Sequence, residues 1–132
     1  MSTKMTIDSF TALKAERKIV CLTAYSAPMA TILDAHCDLL LVGDSVAMVL
    51  YGMDNTQGAD TQMMIRHAQA VMRGAKQALV VVDLPEGSYE ASPEQALTTA
   101  AQIMQESGAD AIKLEGGAIL QPHIKLLVEN GI

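Results

Sequence analysis

The chain has no tryptophan, three tyrosines and one phenylalanine in 132 residues, and only two cysteines. So few rings give nucleic-acid bases little to stack on. With 15 Asp and Glu against 9 Lys and Arg, a formal charge of −6, there is no basic stripe to hold phosphates. Nucleic acid is therefore not an expected partner. Cys21 and Cys37 are too few for a disulfide framework and lack the spacing of a metal motif, so both read as reduced, partly buried thiols. Long apolar runs are missing as well: Leu39 to Val42 and Val46 to Tyr51 fall far short of the ~20 residues that span a bilayer. The opening Met1-Ser2-Thr3-Lys4-Met5-Thr6 has no secretory hydrophobic stretch. A cytoplasmic protein without a membrane partner is the expectation. No internal repeat, low-complexity tract or linker breaks the chain. With 50% apolar and 18% charged residues, it reads as one packed domain over 1–132.

What is present is βα alternation, four times over. Short apolar runs at Ile19–Thr23, Leu39–Val42, Ala78–Asp83 and Ala109–Glu115 predict strands, at least three of them buried on both faces of a parallel sheet. Helical patterns fall at Pro28–Ala35, Thr61–Arg73, Pro93–Ser107 and Ile119–Glu129. The third has the clearest punctuation: Ser92 as cap, Pro93 at the first position, Gln95 to close a capping box and Gly108 after the end. Its stripe of Ala96, Leu97, Ala100, Ile103 and Met104, like Met64, Ala68, Val71, Met72 and Ala75 on the second, has the spacing of a helix laid on a sheet. Thr6–Lys18 predicts a short amphipathic helix with Phe10 and Leu13 on one side, while Lys14, Glu16, Arg17 and Lys18 read as a solvated face. Gly43 to Asp60 is the one long irregular stretch, a length usually kept for function. Glu129-Asn130-Gly131 reads as a capped helix end with Ile132 opening a further strand, so the pattern stops about halfway round an eight-fold barrel of ~250 residues.

In parallel α/β folds ligands gather where strands end. Strand two runs into Gly43-Asp44-Ser45, strand three into Asp83-Leu84-Pro85 and strand four into Lys113-Leu114-Glu115-Gly116-Gly117. Alternation along a strand puts Leu40, Val42 and Asp44 on one face, Val81 with Asp83, and Lys113 with Glu115. One face is thus expected to collect three carboxylates and an ammonium. Crowded carboxylates repel unless a cation is present, and an all-oxygen set favours Mg²⁺ over Zn²⁺. Each acid taken singly also fits a solvated loop or a helix cap. Tyr25, Ser26 and Thr23, after strand one, are candidates to line the same mouth. Gly116-Gly117 could let backbone N–H groups approach an anion. His36, His67 and His123 read as surface or helix-packing residues away from the mouth.

From about Lys18 to Ile132 the sequence resembles the ketopantoate hydroxymethyltransferase family. The likeness runs through Leu22-Thr23-Ala24-Tyr25, Leu41-Val42-Gly43-Asp44-Ser45, Tyr51-Gly52, Val82-Asp83-Leu84-Pro85, Ser88-Tyr89, Ser92-Pro93-Glu94-Gln95-Ala96 and Lys113-Leu114-Glu115-Gly116-Gly117. It implies a (β/α)₈ TIM barrel of the phosphoenolpyruvate/pyruvate type, of which this chain would supply the first four βα units and a short N-terminal helix. It also implies a homo-oligomer. The implied reaction moves a hydroxymethyl group from 5,10-methylenetetrahydrofolate to 3-methyl-2-oxobutanoate, giving 2-dehydropantoate in pantothenate biosynthesis. Carried over by motif, Asp44 and Asp83 would hold Mg²⁺, with Glu115 completing its shell. Asp44, Ser45, Asp83 and Lys113 would bind the 2-oxo acid, with Lys113 also catalytic. The folate-binding residues stay unassigned.

The chain also departs from that pattern. Ser26 stands where many members have Asp, Met53 where His is frequent, and Glu86 where Phe is usual. A further His and the Glu proposed as general base lie on strands beyond the fourth unit, without counterparts here, so the isolated chain is expected to be impaired. Two other readings stay open at this point: a non-enzymatic Mg²⁺-binding α/β module using the same acidic mouth, and an inactive gene fragment.

Overall fold

The computed structural model describes residues 3–132. Four strands, β1 (Cys21–Thr23), β2 (Leu39–Val42), β3 (Leu79–Asp83) and β4 (Ala111–Lys113), pair in the order β1-β2-β3-β4, every pair parallel. Six α-helices accompany them: α1 (Ile7–Thr11), α2 (Ala27–Leu33), α3 (Val46–Val49), α4 (Thr61–Gly74), α5 (Pro93–Ser107) and α6 (Gln121–Glu129). Helices α2, α4, α5 and α6 pack side by side in chain order, α4 against β2 and β3 and α5 against β4. Four consecutive βα units are therefore laid out as the apolar periodicity predicts.

The register decides which face is the core. Leu40 lies opposite Val80 and Val42 opposite Val82, and all four side chains are fully buried beneath the helices with Met64, Ala68, Val71, Ala96, Ala100 and Ile103. The opposite face, bearing Leu39, Leu41 and Thr23, is half-open. Only β3 is buried along its whole length; β2 alternates half-buried with buried, β4 is half-buried and β1 exposed. The expectation of at least three doubly buried strands is thus corrected. β1 and β4 are the two edges of the sheet, and on central β2 the face bearing Leu39 and Leu41 is left half-open, so β3 alone is closed on both faces.

Helix α5 follows its punctuation. Ser92 Oγ accepts from Gln95 N at 3.1 Å, Pro93 opens the helix, and Gly108 ends it at φ +75°, a conformation glycine enters without a Cβ penalty. The capping box itself differs: Gln95 Oε1 accepts from Ala91 N, one residue before the cap, and its amide donates to Gly87 O. Helix α1 is much shorter than Thr6–Lys18. Thr6 and Ser9 form the box that starts it, but the chain then turns, with Ala15 at φ +68°, to bring Arg17 back to the sheet. Arg17 is exposed together with Lys14, Glu16 and Lys18, as expected, but it is also tied down: both its terminal nitrogens donate to the carboxylate of Asp38, which is 7% exposed and also accepts from Val20 N.

Helix α4 approaches α2 at Gly74, where a Cβ would lie 2.4 Å from Ala27 O and 2.8 Å from Ala30 Cβ. Beneath them, buried Asp34 accepts from the backbone N–H groups of Lys76, Gln77 and Ala78 at 2.9 to 3.0 Å and so fixes the entry to β3. The stretch 43–60 is less irregular than its composition suggests, holding α3 and a short 3₁₀ turn at Thr56–Gly58. Cys21 is exposed rather than partly buried, because it lies on the edge strand; Cys37 is half-buried, and neither is in a disulfide. Among the described residues no helix is long and apolar enough to cross a membrane.

Candidate functional site

The site begins with Asp83, the last residue of β3, which is 5% exposed. The register sets Lys113, the last residue of β4, directly beside it. Its Nζ donates to Asp83 Oδ1 at 2.8 Å. Asp83 Oδ2 accepts the backbone N–H of Asp44 at 3.2 Å. A buried carboxylate thus joins the ends of three neighbouring elements, and adjacent parallel strands put its partners there.

Asp44 reaches the site by a different route from the one strand alternation suggests. Because Val42 pairs with Val82, the face shared by Leu40 and Val42 is the helix-covered face, while Asp83 points to the other. Continued as a strand, residue 44 would be directed away from Asp83. Instead β2 stops at Val42, and the chain turns at buried Gly43. The turn is tight: a Cβ on Gly43 would lie 2.9 Å from Ser45 Oγ and 3.5 Å from Asp83 Oδ2. Glycine leaves Ser45 Oγ its place there, and Asp44 is carried to the mouth by that turn.

Asp44, Asp83, Lys113 and Glu115 line one cavity of about 320 Å³, together with Thr56, Leu84, Glu86, Tyr89 and Glu90. Five carboxylates therefore face one ammonium. Burial, and then the charge of Asp83, push the Asp44 carboxyl above its ordinary range, with Glu115 adding to this and Lys113 opposing it. Desolvation pulls the Lys113 ammonium down, but the hydrogen bond and charge of Asp83, helped by Glu115 and Asp44, leave it raised and protonated.

Glu115 stands apart. It is exposed in the loop after β4, and its Oε2 is 3.8 Å from Lys113 Nζ. Among the described residues no three His, Cys, Asp or Glu side chains are gathered closely enough to hold a metal ion by themselves. Asp44 and Asp83 nonetheless fit a hard divalent cation. They are oxygen donors, their mutual repulsion is only partly relieved by Lys113, and Mg²⁺ typically takes one or two carboxylates and fills its other positions with water or substrate.

Ser45, next in chain to Asp44, is half-buried and not among the residues lining the cavity; its Oγ is 2.7 Å from the hydroxyl of Tyr25. Tyr25 is buried. Ser26 instead caps α2, accepting from Met29 N, and Thr23 is exposed at the end of β1. Gly116 is explained by packing, since a Cβ there would lie 2.5 Å from Leu120 Cδ1. Glu86 lines the cavity and accepts from Gln57 Nε2 at 3.3 Å, which ties its charge to the 3₁₀ turn at Thr56–Gly58.

One contributor was not singled out by spacing. Tyr89 is 6% exposed; its hydroxyl donates to Glu115 O at 2.9 Å and faces Glu115 N at 3.4 Å, holding the loop after β4. His67 is not among the residues lining the cavity and packs from α4, with Nδ1 2.6 Å from Tyr25 O and Nε2 3.0 Å from the Tyr51 hydroxyl. The Ser88-Tyr89 pair was visible in sequence, whereas the α4-to-β1 contact of His67 spans 42 residues and leaves no local signal.

Comparison with known proteins agrees with this layout. A family model described as ketopantoate hydroxymethyltransferase matches residues 4–132. The 3-methyl-2-oxobutanoate hydroxymethyltransferases of Maricaulis maris and Agrobacterium fabrum are 56% and 54% identical over 129 residues, which is 98% of this chain and 46% of each of them. The chain thus spans about half the length of these curated relatives. Among solved structures, a 2,3-dimethylmalate lyase of the PEP mutase/isocitrate lyase superfamily aligns with a TM-score of 0.65 at 16% identity, over 92% of this chain and 47% of that one. An oxaloacetate acetylhydrolase aligns at 0.64 and 15% identity, over 86% of this chain and 43% of that one. At such identities these two speak for the α/β barrel fold alone.

Proposed function

We infer, from the premise that the chain belongs to the ketopantoate hydroxymethyltransferase family, that it supplies the metal- and oxo-acid-binding half of an enzyme moving a hydroxymethyl group from 5,10-methylenetetrahydrofolate to 3-methyl-2-oxobutanoate. The observation that carries this reading is the pairing of Asp83 with Lys113, with Asp44 brought beside them by the Gly43 turn. A lone acidic mouth would suit any cation. An acidic mouth with a protonated lysine in its wall suits a cation and an anionic ligand together.

In this reading Asp44 and Asp83 would hold Mg²⁺, with Glu115 reaching it through water. Bound there, the ion supplies Lewis-acid polarisation of the 2-oxo group and so favours enolisation at the neighbouring carbon. Lys113, held protonated by Asp83, places positive charge where the enolate oxygen develops. Ser45 donates its hydroxyl to the substrate carboxylate. Tyr89 keeps the Lys113–Glu115 segment in place by fixing Glu115 through both backbone groups. These residues account for binding and enolate stabilisation; the proton acceptor at the substrate carbon is not among them, so turnover by residues 1–132 alone is expected to be weak or absent.

Isothermal titration separates this reading from that of a simple Mg²⁺-binding module. Mg²⁺ and 3-methyl-2-oxobutanoate should each tighten the binding of the other. Metal binding indifferent to the oxo acid would favour the module.

A further inference from the structure

A chain of hydrogen bonds runs from α4 to the loop after β2. His67 Nδ1 lies 2.6 Å from Tyr25 O, and His67 Nε2 lies 3.0 Å from the Tyr51 hydroxyl, the two rings meeting edge to face at 5.7 Å. A carbonyl oxygen only accepts, so Nδ1 carries the proton. Nε2 then shares a hydrogen bond with the Tyr51 hydroxyl. The Nδ1–H donor pins the backbone of Tyr25 just beyond β1.

From the other end of the residue, the Tyr25 phenol meets Ser45 Oγ at 2.7 Å, where either oxygen has the geometry to donate. Chemistry selects the direction. Tyr25 is 5% exposed, and among the described residues its hydroxyl has no hydrogen-bond partner besides Ser45. A buried phenol O–H with one neighbour donates to it or goes unpaired, and leaving a buried donor unpaired is costly. Ser45 is half-buried next in chain to the cavity-lining Asp44, and among the described residues its Oγ has no partner besides Tyr25, which leaves its own proton for a ligand.

The geometry points to Tyr25 as a positioning residue of the oxo-acid subsite: by donating to Ser45 Oγ it turns the Ser45 O–H outward, as a donor for the carboxylate of a bound 2-oxo acid. His67 secures the arrangement by holding the main chain of Tyr25. The inference rests on the reading that Ser45 binds the oxo acid.

The test is a double-mutant cycle. Titrating 3-methyl-2-oxobutanoate in the presence of Mg²⁺, Tyr25→Phe should weaken binding about 5- to 10-fold in the otherwise wild-type chain, as loss of one directed hydrogen bond would. In the Ser45→Ala background the same substitution should cost less than twofold, because the hydroxyl it orients is gone. A merely structural tyrosine would cost the same in both. Equal losses in the two backgrounds, or no loss in the first, overturn the proposal. A ligand-free measurement stands beside it: with ¹³Cζ-labelled tyrosine, the Tyr25 resonance should move in Ser45→Ala, and a stationary resonance overturns the hydrogen bond. If the wild-type chain does not bind the oxo acid, the functional reading of the site fails, and the resonance still decides the Tyr25 contact.

Discussion

Replacing Arg17 by Met tests whether the turn after α1 anchors the sheet electrostatically. Arg17 Nη1 donates to Asp38 Oδ2 at 2.8 Å while Nη2 holds the other oxygen, and Val20 N donates to the same carboxylate at 2.9 Å. That fork lowers the Asp38 carboxyl from 3.8 to about 2, with the Arg17 hydrogen bond first, then Val20 N–H, against the opposing pull of burial. At roughly 1.4 kcal/mol per unit the shift is worth at most about 2.5 kcal/mol. Half of the Arg17 side chain is in water, so screening holds the part lost in Arg17→Met to a fraction of that ceiling. Because the folded-state value is depressed, this stability is present above the unfolded value near ~3.9 and disappears as pH falls through about 2. Urea unfolding of both proteins at several values between pH 7 and 2.5 should show a gap below that ceiling at neutrality, closing on the acid side. A gap that stays constant to pH 2.5, or no gap at pH 7, would refute the electrostatic account of this anchor.

Three further substitutions probe packing and the site. Gly74→Ala should lose about 2–3 kcal/mol in urea unfolding despite the better helix propensity of alanine, because its methyl would meet Ala27 O at 2.4 Å and Ala30 Cβ at 2.8 Å; an unchanged or raised midpoint would contradict that close approach. Gly43→Ala should fold, since its methyl meets mainly the movable Ser45 Oγ at 2.9 Å, but should weaken oxo-acid binding at least about fivefold, as calorimetry would read. Lys113→Met should separate the two ligands: oxo-acid affinity falls about tenfold or more, while Mg²⁺ binds more tightly near neutrality, and its loss on acidification sets in at higher pH because Lys113 no longer holds down the Asp44 carboxyl. Parallel loss of both affinities would show Lys113 to be structural.

The architecture was legible because it depends on local periodicity. Apolar runs bounded by Gly, Pro, Ser and Asp mark β2, β3 and α5 within a residue or so of where they lie. Less legible was anything set by a distant partner. Nothing near Ala15 and Arg17 shows that the chain turns there, because the partner of Arg17 is Asp38, twenty-one residues on. Alternation correctly paired Lys113 with Asp83, since both end ordered strands in register. It misplaced Asp44, since no strand continues past Val42 and the Gly43 turn resets direction. Parity holds only while the ladder does.

The acids at the two ends of the sheet differ in a way that yields a last prediction. At the strand entrances, Asp34 takes three backbone N–H groups and Asp38 takes Arg17 and Val20 N. Burial opposes ionisation of Asp34 but is outweighed by those donors, so its carboxyl, like that of Asp38, is lowered on folding and stabilises the fold in its charged form. Asp44, at the strand exits, is raised instead, by burial first and by Asp83 second. A carboxyl raised on folding favours the folded state when protonated and opposes it once ionised, so at neutral pH the charge of Asp44 costs stability. Asp44→Asn, of nearly the same shape and without the charge, should therefore unfold at the same or a higher urea concentration than wild type at pH 7, while Mg²⁺ binding by titration calorimetry is lost. Asp34→Asn should do the reverse, losing about 2–3 kcal/mol with metal binding intact. A chain keeps an acid that weakens it where a ligand supplies the missing cation. If Asp44→Asn instead costs more than about 1 kcal/mol, the acid is part of the scaffold, and the cation-binding role drawn from its crowding fails.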